Sequence, residues 1–313
     1  MQITRGYLMK DLRELIENTA AGDRMALARL LTQLERRGPR IVGEATELLV
    51  PAESAFRIGI TGPPGAGKST LISKLIGEWR SRGKTVAVLA VDPSSPFTQG
   101  AILGDRIRYS DHVLDRGVFI RSLGSRGSLG GLSASAWLMV RAFDLAKFDI
   151  VLMETVGVGQ TELEIMNVAD HVSVVLTPES GDGIQGMKAG LMEIANLFVV
   201  NKSDRPGADV FAREIEAAVE LDPRSMGPDA PRVLKISALN GSGVSELVEL
   251  IEGKRTAVSA AGGWRSDRQS AGRLKAEAKA MLMIDAERAA ELRASQIHTP
   301  CDLGNLFRTF SES

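Results

Sequence analysis

The middle of the chain consists of short apolar runs separated by amphipathic stretches. Seven such runs lie between Ala55 and Ile236, and most are rich in Val, Ile and Leu, as in residues 85–91. Stretches with helical spacing, such as residues 69–82 and 209–220, lie between most of the runs. Near-continuous apolar strands that alternate with helices are typical of a parallel sheet covered on both faces. The pattern therefore predicts an α/β fold with a mostly parallel sheet flanked by helices.

Different patterns flank this region on both sides. Leucines at three- and four-residue spacing between Met9 and Leu49 predict N-terminal helices, and Pro51 ends that part. From Lys254 onward the chain becomes Ala-rich, with only a thin apolar stripe. We expect three parts: an N-terminal helical extension (1–50), a central α/β domain (51–253) and a C-terminal helical tail (254–313).

Composition narrows the possible functions. The 313 residues include 38 Lys and Arg against 39 Asp and Glu, so no global charge favours nucleic acid or an anionic membrane. No apolar run approaches the roughly 20 residues that span a bilayer. Cys301 is the single cysteine, which fits a reducing compartment. We expect a cytoplasmic protein that binds neither nucleic acid nor membrane.

One loop carries a complete phosphate-binding motif. The sequence of residues 62–69, GPPGAGKS, matches G-x-x-x-x-G-K-[ST] at every fixed position, after a predicted strand and before a predicted helix. Glycines allow backbone N–H groups to converge on phosphate oxygens, Lys68 can reach the β- and γ-phosphates, and the Ser69 hydroxyl can bind Mg²⁺. The predicted nucleotide-binding residues of this loop are Gly62, Pro63, Pro64, Gly65, Ala66, Gly67, Lys68, Ser69 and Thr70.

A second motif indicates which base is bound. Asn201-Lys202-Ser-Asp204 follows the apolar run 197–200 and matches N-K-x-D, the guanine signature of P-loop GTPases. The Asp204 carboxylate can accept hydrogen bonds from guanine N1–H and the 2-amino group, which adenine does not offer. We expect Lys202 to lie over the base and Asn201 to tie the loops together.

A third segment supports a GTP or GDP site. The next apolar run ends in Ser237-Ala238-Leu239, which resembles the loop whose backbone N–H contacts guanine O6.

Acidic residues end two further runs. Asp92 ends the second run, where a phosphate site needs acidic groups. Glu154-Thr-Val-Gly157 follows another run, at the place where many GTPases have D-x-x-G. In that motif the carboxylate holds Mg²⁺ directly or through water, and the glycine N–H meets the γ-phosphate. This chain has glutamate in place of the aspartate.

These motifs resemble those of a known group. E-x-x-G is similar to the third motif of the metallochaperone branch of P-loop GTPases, which includes nickel-insertion GTPases and cobalamin-related chaperones. Together with VDPSS, GAILGDR, ETVGVGQ and GDGIQG, which begin at residues 91, 100, 154 and 181, the chain resembles the MeaB/ArgK subgroup, the bacterial counterparts of human MMAA. The resemblance covers roughly residues 10 to 255.

The resemblance implies a function. Its members are Mg²⁺-dependent GTPases that chaperone adenosylcobalamin-dependent methylmalonyl-CoA mutase, gate cofactor loading, and protect or reactivate the mutase. It also implies a homodimer formed through a helical arm, although this chain departs from the family pattern after about Arg255.

The resemblance also assigns roles to individual residues. It gives Lys68 a catalytic role at the phosphates and places Ser69 at Mg²⁺. Asp92 and Asp105 would lie near Mg²⁺ and the attacking water, and Glu154 would hold the water shell of the metal. Residues 181–188 match a partner-sensing loop, whose charged members here are Asp182 and Lys188.

Other functions stay open at this point. The nickel branch is less expected because it needs His and Cys ligands, and the three histidines are scattered. A metabolic or transport-protein kinase, the older LAO/AO label of some members, would fit the phosphate loop but not N-K-x-D, because most such kinases use ATP. A nucleotide-responsive scaffold with negligible turnover is a third possibility. Nucleotide preference and the fate of the released phosphate distinguish these functions.

Overall fold

The structure is a computed structural model, and it describes residues 2–37, 41, 55–92, 109–124, 134–155, 165–166, 168–179, 189–227 and 230–260. The predictions for Asp105, Gly157, Asp182 and Lys188 lie outside the described residues, as does the tail beyond Ala260.

The helices are α1 (Gln2–Ala20), α2 (Arg24–Arg37), α3 (Lys68–Ser81), α4 (Ala134–Leu145), α5 (Ala189–Ile194), α6 (Ala208–Glu220) and α7 (Val244–Ala260). The strands are β1 (Phe56–Thr61), β2 (Val86–Asp92), β3 (Val118–Gly124), β4 (Ile150–Thr155), β5 (His171–Leu176), β6 (Leu197–Val200) and β7 (Arg232–Lys235). They fall into two compact units, one with α1, α2 and α4, the other with the seven strands, α3, α5, α6 and most of α7.

The first unit is helical. Gly22 takes a φ of 93° in the turn between α1 and α2, which a residue with a side chain rarely adopts. Asp23 then caps α2, because its Oδ1 accepts hydrogen bonds from the N–H groups of Met25 (2.7 Å) and Ala26 (3.2 Å). The apolar stripe of α2 is buried and consists of Ala26, Leu27, Leu30, Leu31 and Leu34.

The second unit is built on one sheet. Its strand order is β3-β2-β4-β1-β5-β6-β7, and every pair is parallel. All residues of β1, β4, β5 and β6 are buried, as expected for strands covered on both faces. The predicted fold class is therefore confirmed. Because all strands run the same way, the loops after β1, β4, β6 and β7 emerge at one edge, where open α/β sheets bind their ligands.

Helices α3 and α7 share an apolar core with one face of the sheet. Alternate residues of β1, namely Phe56, Ile58 and Ile60, belong to this core. The helices contribute Leu71, Ile72, Leu75, Ile76, Trp79, Val244, Leu247, Val248 and Ile251. The Trp79 indole N–H donates to Glu252 Oε1 at 3.0 Å, so its one polar atom has a partner. This core fixes α3, and with it the loop that precedes α3.

The start of β4 differs from the sequence prediction by two residues. The apolar run 148–153 predicts a strand from Phe148, but β4 begins at Ile150. Phe148 instead closes the end of α4: its N–H donates to the Phe143 carbonyl, and the two rings lie edge to face, 6.0 Å apart. Lys147 takes a positive φ of 60° to make this turn. Packing of Phe148 against the helix therefore outweighs its strand propensity.

No helix in the described part of the chain has the length and apolar character needed to cross a bilayer.

A buried histidine begins β5. His171 is 3% exposed, and its Nε2 lies 3.0 Å from the Ser173 hydroxyl. Its Nδ1 has no hydrogen-bond partner among the described residues. Burial, and to a smaller degree the charge of Lys254, lowers the pKa of His171 from 6.5 to about 3. The folded chain therefore keeps this ring neutral at pH values at which the unfolded chain protonates it.

This difference predicts an acid-sensitive fold. Above pH 6.5 the ring is neutral in both states; below it only the unfolded state gains the proton, so stability falls until the pH reaches about 3. Relative to His171→Gln, the wild-type free energy of unfolding should fall by about 1.4 kcal/mol per pH unit between pH 6 and 4. Urea unfolding across this range measures it.

Ser173→Ala is the control, because it removes the hydroxyl but leaves the ring buried. It should keep the wild-type slope. Parallel curves for wild type and His171→Gln would contradict the prediction.

Candidate functional site

The loop between β1 and α3 requires glycine at two positions. Gly62 has a φ of 135°, and a Cβ there would lie 2.1 Å from the Val175 carbonyl oxygen on β5. Gly67 has a φ of 86°, and a Cβ there would lie 2.4 Å from Asn201 Nδ2. Any side chain at these positions would therefore collide with the neighbouring strand end or the neighbouring loop.

The loop ends at the N-terminus of α3. Helix α3 begins at Lys68, and Gly67 provides no side-chain cap. The first N–H groups of a helix have no intrahelical acceptor, and the helix dipole makes this end positive. Lys68 adds a cation: it is 7% exposed, and its Nζ donates to the carbonyls of Gly62 (2.7 Å) and Pro63 (3.0 Å). This arrangement is suited to an anion such as a phosphate.

Glu154 lies next to this loop. It is paired with Ile60 in the sheet, is 5% exposed, and its Oε1 accepts a hydrogen bond of 2.6 Å from the Ser69 hydroxyl. The structure thus brings together two of the predicted metal residues. Asp92 is the last residue of β2, which pairs with β4, so its backbone lies at the same edge.

Tyr109 also contacts Glu154, a contact that the sequence did not predict. It is completely buried, and its hydroxyl donates to Glu154 Oε2 at 2.5 Å. A buried tyrosine hydroxyl needs a hydrogen-bond partner. That rule is the only sequence signal for this contact. It does not identify Glu154, 45 residues away, as the hydrogen-bond partner.

The segment that follows Tyr109 is attached to α3. His112 Nε2 lies 3.0 Å from Ser73 Oγ, and Arg80 forms two hydrogen bonds with the Asp115 carboxylate, of 2.8 and 3.0 Å. The Arg80 contact, together with the Gly117 N–H, holds the pKa of Asp115 below its usual value. The carboxylate therefore stays charged, and the ion pair intact, at neutral pH.

A buried amide links the phosphate loop to a second loop. Asn201 is 2% exposed and directly follows β6. Its Nδ2 donates to the Ala66 carbonyl at 2.8 Å, and its Oδ1 accepts from the Ala238 N–H at 3.0 Å. One side chain thus holds the phosphate loop and the loop after β7 at a fixed separation.

Asp204 lies in the loop after β6 and contacts the loop after β7. Its side chain is exposed, and its Oδ1 accepts a hydrogen bond from the Ser237 hydroxyl. The Ser203 N–H donates to the Ile236 carbonyl at 2.9 Å, which anchors the base-recognition loop to the end of β7. An exposed carboxylate oriented by a neighbouring hydroxyl is suited to accept hydrogen bonds from a base.

Glu179 is a second residue whose contacts with the base-recognition loop were not predicted from the sequence. Lys202 has a positive φ of 58°, and its Nζ donates to Glu179 Oε2 at 2.8 Å. Arg205 pairs with the other oxygen of the same carboxylate. Glu179 therefore holds the lysine that the sequence places over the base.

A surface pocket lies beside the phosphate loop. Its volume is about 360 Å³, within the range of small-molecule sites. The lining residues are Ser69, Thr70, Ser73, Lys74, Asp111 and Leu239. The pocket therefore connects the start of α3 with the loop after β7.

The structure thus places most of the predicted site residues around one edge of the sheet. They are Gly62, Pro63, Pro64, Gly65, Ala66, Gly67, Lys68, Ser69, Thr70, Glu154, Asn201, Lys202, Asp204, Ser237, Ala238 and Leu239. Their assignment to nucleotide and metal stays a prediction.

A purely parallel sheet, a phosphate loop that opens a helix and an N-K-x-D loop tied to it together define a P-loop GTPase. The comparisons with known proteins agree. The chain matches the family described as Methylmalonyl Co-A mutase-associated GTPase MeaB over residues 27–293, and it belongs to this family.

Individual relatives support the same assignment. A protein of Pyrococcus horikoshii named as a GTPase is 44% identical over 276 residues, which cover 88% of this chain and 86% of that protein. GTPase ArgK of Escherichia coli is 39% identical, covering 82% and 80% of the two chains. A solved structure described as LAO/AO transport system kinase has a TM-score of 0.67 at 28% identity and covers 96% of this chain and 98% of its own.

The geometry around Asp204 generates a test of guanine recognition. In Asp204→Asn, an acceptor is replaced by a donor that faces the donors of guanine. GTP affinity should fall about ten- to a hundredfold, since a mismatched hydrogen bond costs roughly 1–3 kcal/mol. XTP, which carries an oxygen in place of the 2-amino group, should bind the variant better than it binds wild type. Calorimetric titration measures both.

The matched control is Asp209→Asn, because the exposed Asp209 carboxylate pairs with Lys235, whereas Asp204 pairs with Ser237. Its GTP affinity should equal that of wild type. Unchanged GTP affinity in Asp204→Asn would show that this carboxylate does not recognise guanine.

Proposed function

We propose that this protein is a Mg²⁺-dependent G-protein chaperone of an adenosylcobalamin-dependent methylmalonyl-CoA mutase, which gates cofactor loading and protects or reactivates the mutase. The observation that carries the proposal is the match over residues 27–293 to a family described as associated with that mutase. The described site supports it, because it combines a phosphate loop, a guanine loop and an acidic residue at one edge.

The residues near Ser69 fit Mg²⁺. Mg²⁺ prefers oxygen ligands and in nucleotide sites uses one or two protein groups together with phosphates and water. The Ser69 hydroxyl and the Glu154 carboxylate offer two such oxygens 2.6 Å apart. Ser69 and Glu154 would hold the ion, with Asp92 and Asp105 as further acidic residues. When bound, Mg²⁺ neutralises charge on the phosphoryl oxygens during transfer.

The chain's own residues bind and orient GTP. Lys68 is held by two neutral carbonyls, and phosphate oxygens offer its ammonium stronger, charge-assisted hydrogen bonds. Its charge and the loop N–H groups stabilise the negative charge of the transferred group. Asp204 holds the base, while the Asn201 amide fixes the distance between base and phosphates.

GTP hydrolysis in this site is slow, and its rate determines how long the protein stays in the GTP-bound state. Around Ser69 and Glu154 the described contacts come from hydroxyl groups, and no catalytic glutamine or arginine finger can be assigned among the described residues. Without such groups the activation barrier of GTP hydrolysis is only partly lowered. The basal rate of hydrolysis is therefore low, and a partner can raise it. The mutase, bound to the loops around the nucleotide, would supply the missing positioning.

The segment that leads to the proposed partner loop is linked to the guanine loop. Glu179, two residues before Gly181, pairs with Lys202 and Arg205. Residues 181–188 then carry Asp182 and Lys188, which we propose present charges to the mutase. We further propose a cytoplasmic homodimer, on the basis of the single cysteine and the family resemblance.

Stimulation by the mutase tests this function. We expect the GTPase rate of wild type to rise with mutase concentration. Asp182→Ala and Lys188→Ala should keep near-normal basal hydrolysis but lose stimulation, because they remove only the charges presented to the partner. The measurement is the steady-state rate of phosphate release at saturating GTP, titrated with purified mutase.

Asp209→Ala serves as the control, because it removes an exposed charge that pairs with Lys235 and lies outside residues 181–188, and it should respond like wild type. Phosphate found on an acceptor protein, rather than in solution, would favour the kinase function. Equal stimulation of both loop variants and wild type would contradict the role of residues 181–188.

A further inference from the structure

Both carboxylate oxygens of Glu154 are held in this structure. Oε1 accepts from Ser69 at 2.6 Å and Oε2 from Tyr109 at 2.5 Å. The two donors therefore approach the carboxylate from different elements. Ser69 lies in the first turn of α3, whereas Tyr109 precedes the short 3₁₀ helix Ser110–His112.

The position of Tyr109 is fixed independently of Glu154. Its ring is completely buried in the core that also contains Ile72 and Ile76 of α3. The residues after it are attached to the same helix by the His112–Ser73 and Arg80–Asp115 contacts. Helix α3 therefore positions both Ser69 and the hydroxyl of Tyr109.

Because the motif has glutamate in place of aspartate, the contact with Tyr109 matters for the orientation of the Glu154 carboxylate. A glutamate has one more rotatable bond than the aspartate of D-x-x-G, so its carboxylate can occupy more positions. When the Ser69 hydroxyl oxygen binds a cation, the geometry of its hydrogen bond to Glu154 Oε1 changes. The Tyr109 contact to Oε2 can persist, because it lies on the other oxygen.

We propose that Tyr109 is a positioning residue for Glu154, which holds the carboxylate in the orientation that binds Mg²⁺ and thereby couples Mg²⁺ to guanine-nucleotide binding. This inference rests on the proposed role of Glu154 at the metal. Tyr109 acts through Glu154, in the way that hydrogen-bond partners of metal ligands tune metal affinity.

The test compares wild type with Tyr109→Phe, which keeps the ring and removes only the hydroxyl. The Mg²⁺ concentration for half-maximal slowing of release of a fluorescent GDP derivative should rise about tenfold. GDP affinity in EDTA should equal that of wild type, because the phosphate and guanine loops are unchanged. A purely structural role would instead lower affinity in EDTA and in Mg²⁺ alike, and that result would overturn the inference.

Glu154→Gln, and the double variant that combines it with Tyr109→Phe, complete a double-mutant cycle. Glu154→Gln should weaken the response to Mg²⁺, and adding Tyr109→Phe to it should have no further effect, since the hydroxyl acts through the carboxylate. Additive effects would overturn the inference. If Glu154→Gln leaves the Mg²⁺ response unchanged, the proposed metal role of Glu154 fails; if only Tyr109→Phe leaves it unchanged, the positioning role alone fails.

Discussion

The amide of Asn201 connects the two halves of the nucleotide site. Its Nδ2 binds the Ala66 carbonyl of the phosphate loop, and its Oδ1 binds the Ala238 N–H of the loop after β7. Because Asn201 is almost completely buried, loss of either contact would leave a polar group unpaired, at a cost of about 1–3 kcal/mol. The close approach of this amide also explains why Gly67 cannot carry a side chain. The relative position of the predicted phosphate and base loops thus depends on one side chain.

The parallel sheet determines which residues can reach this centre. Its central strands β4, β1 and β5 are neighbours, so Glu154 at the end of β4 faces the loop that follows β1. On the other side, Val175 of β5 packs so closely on the loop that Gly62 must be glycine. Helix α3 begins at the end of this loop, and Lys68 and Ser69 are its first two residues. Strand order, more than any single contact, therefore places the acidic residue, the cation and the hydroxyl together.

Sequence alone predicts the parts of this site whose signals are local. The phosphate loop and N-K-x-D are runs of adjacent residues whose types follow from phosphate and guanine chemistry, and both lie at strand ends as expected. The start of β4 could not be predicted, because Phe148 has strand character but packs on Phe143. The Tyr109 and Glu179 contacts could not be predicted either, since their partners are distant in sequence and belong to other elements. The roles of all these site residues stay predictions, and Asp105, Gly157, Asp182 and Lys188 lie outside the described residues.

We expect one site of this protein to recognise guanine and phosphate together and to hydrolyse GTP. The most direct measurement is a competition in which wild-type protein and Mg²⁺ receive equal amounts of GTP and ATP, followed by phosphorus NMR. GTP should be converted into GDP and inorganic phosphate while ATP stays intact. Equal consumption of ATP, or phosphate transferred to an acceptor, would contradict it.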